Sequence, residues 1–242
     1  MDALGLLRLQ AADWGLSLSL DELARFERYG RFLRDYEEAN VTGTRELRGI
    51  ILDHVLDSLS CFLFEPLWIA RRLADVGSGG GLPGVPLKIV EPALRITLME
   101  STAKKARFLH RVAEDLSLEG VRVINARVEE IARRDEHRGD YDVVTARAVA
   151  RLSVVAEYCV PLLRVGGSVI SMKGRLEEEE ISEGERAVER LGATISDLID
   201  VPLLPEIGTK ERHLVILDKI EDTPAKYPRN VGVPTKKPLG VV

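Results

Sequence analysis

Cysteine is scarce in this sequence: two among 242 residues, Cys61 and Cys159, both set in apolar surroundings. Thiols so placed are expected to be buried and free in a reducing compartment, not paired in a disulfide frame. The four histidines, His54, His110, His137 and His213, have no ligand spacing with one another or with cysteine, so no metal centre is expected. No apolar run reaches the ~20 residues that span a bilayer. The start, Met1-Asp-Ala-Leu-Gly5, lacks the basic end and apolar core of a secretion signal. A cytoplasmic chain without membrane contact is expected. An excess of positive charge is missing too. The net charge of −5 excludes a uniformly basic coat for nucleic acid. Charge is nonetheless uneven. Glu177 to Glu180 is acidic, whereas the tail from Pro224 to Val242 carries Lys226, Arg229, Lys236 and Lys237 and no acid. A local basic arm of this kind can still dock on phosphate.

What is present is organised around Leu73-Ala-Asp-Val-Gly-Ser-Gly-Gly-Gly-Leu-Pro-Gly-Val-Pro86. A short apolar run ends at Asp75, and Gly77, Gly79, Gly80 and Gly81 follow. Pro83 and Pro86 stand where a helix would begin, a place proline suits. Strand, glycine turn and helix open a nucleotide-binding α/β unit. Glycine permits positive φ and close approach of a ligand to the backbone. Leu82 stands where the dinucleotide fingerprint has its third glycine. That weakens a pyrophosphate reading and leaves room for an adenosine ligand without phosphates, of which S-adenosylmethionine is the commonest. A glycine-rich loop after a strand can also be no more than a turn.

Upstream, helical spacing of Leu4, Leu7, Ala11 and Trp14, a Ser19/Glu22 capping box, and an N-cap at Thr44 predict a helical cap over 1–66. Downstream, strand-like runs at 72–76, 95–99, 121–124, 141–145, 168–172 and 213–217 alternate with helical runs at 103–116, 128–133, 152–163 and 177–191. That alternation predicts a mostly parallel sheet covered on both faces over 67–223. The tail, 224–242, is expected to be irregular.

Ligands in such sheets bind beyond the carboxyl ends of the strands, so the residues there are the candidates. Glu100 closes the second run, where an acid can accept from both ribose hydroxyls; it could equally serve the dipole of the helix after Ser101. After the third run, Val128 and Glu129 could pack on and read an adenine edge, or Glu129 could be a solvated first-turn acid. After the fourth, Arg147 could hold phosphate or a guanine edge in bidentate fashion, or form a structural ion pair. Lys173 and Arg175 add charge to the same rim. No cysteine follows a proline at a strand end, which disfavours covalent activation of a pyrimidine carbon. No Asn/Asp-Pro-Pro-aromatic run follows the fourth strand, which disfavours methylation of an exocyclic base amine. A ring nitrogen with a free lone pair requires neither device, since positioning supplies most of the rate.

These residues closely resemble the bacterial small-subunit ribosomal RNA guanine-N7 methyltransferase G family, also called glucose-inhibited division protein B. The similarity covers nearly the whole chain. It is carried by Asn40-Val-Thr42, His54-Val-Leu-Asp-Ser-Leu59, the glycine loop with its Leu-Pro-Gly-x-Pro continuation, Ala126-Arg-Val-Glu129, Ala146-Arg-Ala148, Lys173-Gly174 and Arg212-His-Leu214. The tail Lys226-Tyr-Pro-Arg-Asn-Val-Gly-Val-Pro-Thr-Lys-Lys-Pro238 matches as well. Tyr36-Glu37 departs from the Trp-Asn that often precedes the Asn-Leu-Thr element.

The resemblance implies a class I S-adenosylmethionine-dependent methyltransferase: a Rossmann-like, mostly parallel sheet with an antiparallel last strand and an N-terminal helical cap. It implies methylation of the N7 of one guanine in 16S ribosomal RNA, on a 30S subunit or assembly intermediate, by a monomer without metal. The alternative is a class I methyltransferase acting on another RNA, a protein or a small molecule. Expected cofactor contacts are Asp75, Gly77, Gly79 and Leu82 in the loop, Glu100, Ser101 and Thr102 near the ribose, and Val128, Glu129 and Arg147. Arg147 and Lys173 are expected to position the guanine, with no general base. Arg151, Arg175, Arg212, Lys226, Arg229, Lys236 and Lys237 are the expected RNA contacts.

Overall fold

The computed structural model describes residues 1–208 and 210–241; Thr209 and Val242, within the expected sheet region and tail, lie outside the described residues. The chain opens with helices α1 (Ala3–Asp13) and α2 (Leu20–Asp35). The expected capping box starts α2: Ser19 accepts from the Glu22 amide, and the Glu22 carboxylate accepts from Ser19 N at 2.7 Å. Thr44 does not cap the next helix. Glu46 holds that position, and Thr44 Oγ1 accepts the Glu46 amide in a local turn. A single helical rod follows: α3 (Leu47–Gly49), a π-helical stretch (Ile50–Val55) and α4 (Leu56–Leu59). π-Helical stretches are rare and recur at functional sites; this one carries Asp53 and His54.

Seven strands form one sheet in the order β3-β2-β1-β4-β5-β7-β6. They are β1 (Arg72–Val76), β2 (Arg95–Met99), β3 (Val121–Ile124), β4 (Tyr141–Arg147), β5 (Leu163–Lys173), β6 (Ala193–Asp200) and β7 (His213–Lys219). β1 to β5 pair in parallel, and β7 runs antiparallel between β5 and β6. Buried on both faces over most of their length, β1 and β4 lack the strict in–out alternation of a half-exposed strand. The connecting helices are α5 (Gly84–Val90), α6 (Ala103–Asp115), α7 (Val128–Ile131), α8 (Leu152–Cys159) and α9 (Glu178–Leu191). The sequence reading had no strand at 193–200, and β6 is an addition to it.

The N-terminal helices, α5 and α6 form one buried apolar cluster against one face of the sheet; α7, α8, α9 and the tail form the second against the other. Both cysteines are buried and free, as expected. Burial raises both thiols above the ordinary range. The tail is not a loose arm. It carries a short helix, α10 (Val233–Lys236), and buries Tyr227 and Leu239. No described helix is long and apolar enough to cross a membrane.

Candidate active site

The strand order reverses between β1 and β4, and the crevice beyond their carboxyl ends is where open α/β sheets take ligands. Two cavities lie there. One, about 400 Å³, is bounded by Asp53, His54, Asp57, Arg147 and Lys173 among others. The second, about 190 Å³, lies against Gly77, Ser101, Val128, Tyr158 and Thr235. Val149 and Ala150 line both.

The loop after β1 makes the junction possible. Gly77 has φ +69°, and a Cβ on it would sit 2.9 Å from Val149 Cγ2. Only glycine lets that turn abut the shared wall. At Gly80 a Cβ would meet the Val41 carbonyl at 2.6 Å, and Gly80 O accepts from Tyr29 OH at 2.5 Å. The cap is thereby packed onto the loop. Asp75 is fully buried and lines neither cavity. It accepts from Thr145 Oγ1 at 2.9 Å and Gly84 N at 3.3 Å, so it braces the loop from beneath. Burial pushes its carboxyl up to about 6, against the lowering effect of those hydrogen bonds. Leu82 is also placed away from both cavities, packed against the cap-side apolar cluster.

Glu100 is 6% exposed. Its Oε2 accepts from Gly79 N at 2.9 Å and its Oε1 from Thr102 N at 2.7 Å. The carboxylate ties the glycine loop to the start of α6, and each oxygen keeps a second lone pair. Of this group, Ser101 lines the smaller cavity. Glu129 is 1% exposed, so it is no solvated first-turn acid. Its Oε1 accepts from Gly232 N at 2.9 Å, while Oε2 is buried with no hydrogen-bond partner. Its neighbour Val128, with Met99 and Ala126, gives the smaller cavity apolar walls, while Glu129 itself does not line it. Apolar surfaces with one unsatisfied buried acceptor fit a flat base bearing an exocyclic N–H.

Arg147 ends β4 and reaches into the larger cavity. Its Nε pairs with Asp57 Oδ2 at 3.0 Å, and Nη2 donates to Asp53 O at 2.9 Å and His54 Nδ1 at 2.8 Å. Accepting at Nδ1, neutral His54 carries its proton on Nε2. Burial and the adjacent guanidinium both lower the His54 pKa. The next residue, Ala148, has φ +54°, a strained conformation for a residue with a side chain. Lys173 donates to Ala150 O and Glu180 Oε1, both at 2.7 Å. The structure thus brings Arg147 and Lys173 to one cavity, each held by an acid; Arg147 does not line the smaller one.

Several expected RNA contacts are engaged inside the protein. Arg212 pairs with Asp57 at 2.8 Å and Asp53 at 3.1 Å and is 10% exposed. Arg229 is held by the fully buried Glu157, down to 2.6 Å. Both guanidinium groups are thus committed to acids inside the protein, and Glu157 in particular would be costly to leave buried without its partner. Arg151 pairs with Glu183 at 3.0 Å but stays half exposed. Arg175, Lys226, Lys236 and Lys237 are exposed, and among the described residues no carboxylate pairs with them. Sequence reasoning missed Val149, Tyr158 and Thr235 as lining residues. Only the family-like tail pattern carried any signal, for Thr235. No group of described residues could hold a metal ion.

A family model described as "GidB: rRNA small subunit methyltransferase G" matches residues 22–215. A ribosomal RNA small subunit methyltransferase G from Rubrobacter xylanophilus is 56% identical over 233 residues, 96% of this chain and 89% of that one. The protein of that name from Exiguobacterium sibiricum is 40% identical, covering 95% of this chain and 96% of its own. Among solved structures, geranyl diphosphate C-methyltransferase from Streptomyces coelicolor A3(2), in complex with S-adenosyl-L-homocysteine, superposes with a TM-score of 0.53 at 15% identity. The superposition covers 81% of this chain and 98% of that one, and shows that the two share the class I methyltransferase fold. With its cap, its strand order and this match over most of its length, the chain belongs to the GidB family, that of the rRNA small subunit methyltransferase G.

Proposed function

We propose that this chain is an S-adenosylmethionine-dependent methyltransferase that methylates N7 of one guanine in 16S ribosomal RNA. Bound in the smaller cavity, S-adenosylmethionine supplies a methyl group on a positively charged sulfur. Glu129 Oε2 and Val128 would take its base, and Glu100, through its spare lone pairs, its ribose. The larger cavity would receive the guanine, swung out of the RNA as single-stranded bases are when proteins read them. Guanine N7 carries a lone pair and no proton, so no residue here has to act as a base. Arg147 cannot be one, since guanidinium stays protonated. Its role is positional: fixed by Asp57, Asp53 and His54, it presents a rigid fork at the cavity wall. Lys173 stands beside it.

The observation that carries this reading is that the two cavities meet at Val149 and Ala150, beyond β1 and β4. Donor and acceptor can be held in line only where such chambers adjoin. We also propose that residues 1–66, 67–223 and 224–242 act as cap, catalytic body and tail in a cytoplasmic monomer, and that the substrate is a 30S subunit or its assembly intermediate. Arg151, Arg175, Lys226, Lys236 and Lys237 would meet its phosphates. The test is incubation of the purified protein with methyl-labelled donor and 30S subunits lacking this modification, followed by nucleoside mapping. Label in N7-methylguanine at one 16S position is expected. Label in protein, in another nucleoside, or nowhere would overturn the proposal.

A further inference from the structure

The smaller cavity is closed on one side by a part of the chain far from the glycine loop. Thr235, in α10, lines it, and its Oγ1 lies 3.0 Å from Tyr158 OH. Three residues earlier, Gly232 N donates to Glu129 Oε1 at 2.9 Å. The other oxygen, Oε2, has no hydrogen-bond partner among the described residues, and Arg127 Nε lies 3.6 Å from it. This segment is built in. The Arg229 backbone N donates to Glu157 Oε1 at 2.8 Å, and Arg229 Nη2 donates to Lys237 O at 2.7 Å, clasping the turn that bears Gly232 and Thr235. Leu239 is 5% exposed beyond it.

We propose that the C-terminal tail is part of the donor site and sets its choice of base. By occupying Oε1, the Gly232 amide leaves Glu129 with one acceptor, Oε2, that has no hydrogen-bond partner, on the residue next to the cavity-lining Val128. A base with an exocyclic N–H2 satisfies that oxygen. A base with a carbonyl at the same position sets lone pairs against a buried carboxylate and is rejected, since an unmatched buried polar group is costly. This inference rests on the donor reading above and adds a selectivity element that the glycine loop does not contain.

The test is calorimetric titration of S-adenosylhomocysteine and its deaminated counterpart, S-inosylhomocysteine, into three proteins. These are the full chain, a chain ending at Val231 that keeps Arg229, and full-length Glu129→Gln. The full chain is expected to favour the adenine compound by about tenfold or more. The shortened chain, melting cooperatively, should bind it about tenfold more weakly, with the preference reduced to near parity. In Glu129→Gln, Gly232 N–H selects the amide oxygen and turns the amide N–H2 toward the ligand, so the preference should invert toward the inosine compound. An unchanged affinity and preference in the shortened chain would overturn the proposal. Should that chain not fold, an uninverted preference in Glu129→Gln would do so alone. Binding of neither compound to the full chain would overturn the donor reading as well.

Discussion

At the scale of single residues, Arg147 shows how much a strand end depends on partners far away in the chain. Its Nε and Nη2 are aligned by an acid, a backbone carbonyl and a histidine nitrogen, all from the cap. Lysine offers one point charge and cannot span these acceptors. Arg147→Lys is expected to fold and to bind S-adenosylhomocysteine normally while methyl transfer falls by about 10²-fold, the cost of a mispositioned reactant; turnover and calorimetry on the same sample check this. Asp75 gives a pH signature. Its folded pKa of about 6 lies above the unfolded 3.8. Its contribution to stability is therefore fully present below about pH 3.8 and is lost as pH rises through 6. Relative to Asp75→Asn, the wild type should lose about 1 kcal/mol between about pH 5 and pH 7, read as the difference between two series of denaturant melts. Most of these residues were legible in the sequence, because each follows a strand. Their partners were not: nothing local to Arg212 or Arg229 foretells Asp57 or Glu157, which fold brings from 155 positions (212 less 57) and 72 positions away.

At the scale of elements, two segments join the sheet to the site from outside it. The π-helical stretch and α4 carry Asp53, His54 and Asp57, and Asp57 bridges Arg147 and Arg212. Asp57→Asn leaves two largely buried guanidinium groups sharing no carboxylate. A loss of about 2–4 kcal/mol is expected, with turnover falling further than donor affinity, as measured by melting and by the split between kcat and KM. On the opposite face, α8 holds the tail through Glu157. Glu157→Ala strands Arg229 and is expected to cost about 3 kcal/mol and to weaken donor binding. A denaturant melt beside a titration checks both. The five parallel strands were readable as apolar runs between helical stretches. β6 was not, because Thr194, Asp197, Leu198 and Asp200 lie exposed on an edge strand and break the alternation. The π-helical turn left no mark either, since packing rather than composition sets its register. The tail's order depends on Glu129 and Glu157, so its proline and glycine content alone read as irregular.

At the scale of the whole molecule, an acidic body has to meet a polyanion. Of the expected RNA contacts, Arg175, Lys226, Lys236 and Lys237 are exposed and have no carboxylate partner among the described residues, and three of the four lie on the tail that walls the smaller cavity. Lys236→Ala with Lys237→Ala is expected to weaken binding to ribosomal subunits and to lower the slope of log affinity against log salt by about 2. Uptake of S-adenosylhomocysteine should be unchanged. Filter binding over a salt series gives the slope. The family and fold were legible at this scale because the motifs that carry them run the length of the chain, from Asn40 to Pro238.

Methyl transfer as proposed depends on two chambers that share one wall, at Val149 and Ala150. Calorimetric titration of S-adenosylhomocysteine into the wild type and into Val149→Trp, each shown to melt cooperatively, tests it most directly. One ligand per chain for the wild type and none for the variant, whose indole fills the common wall, is the predicted result. No uptake by the wild type, or equal uptake by both, would contradict it.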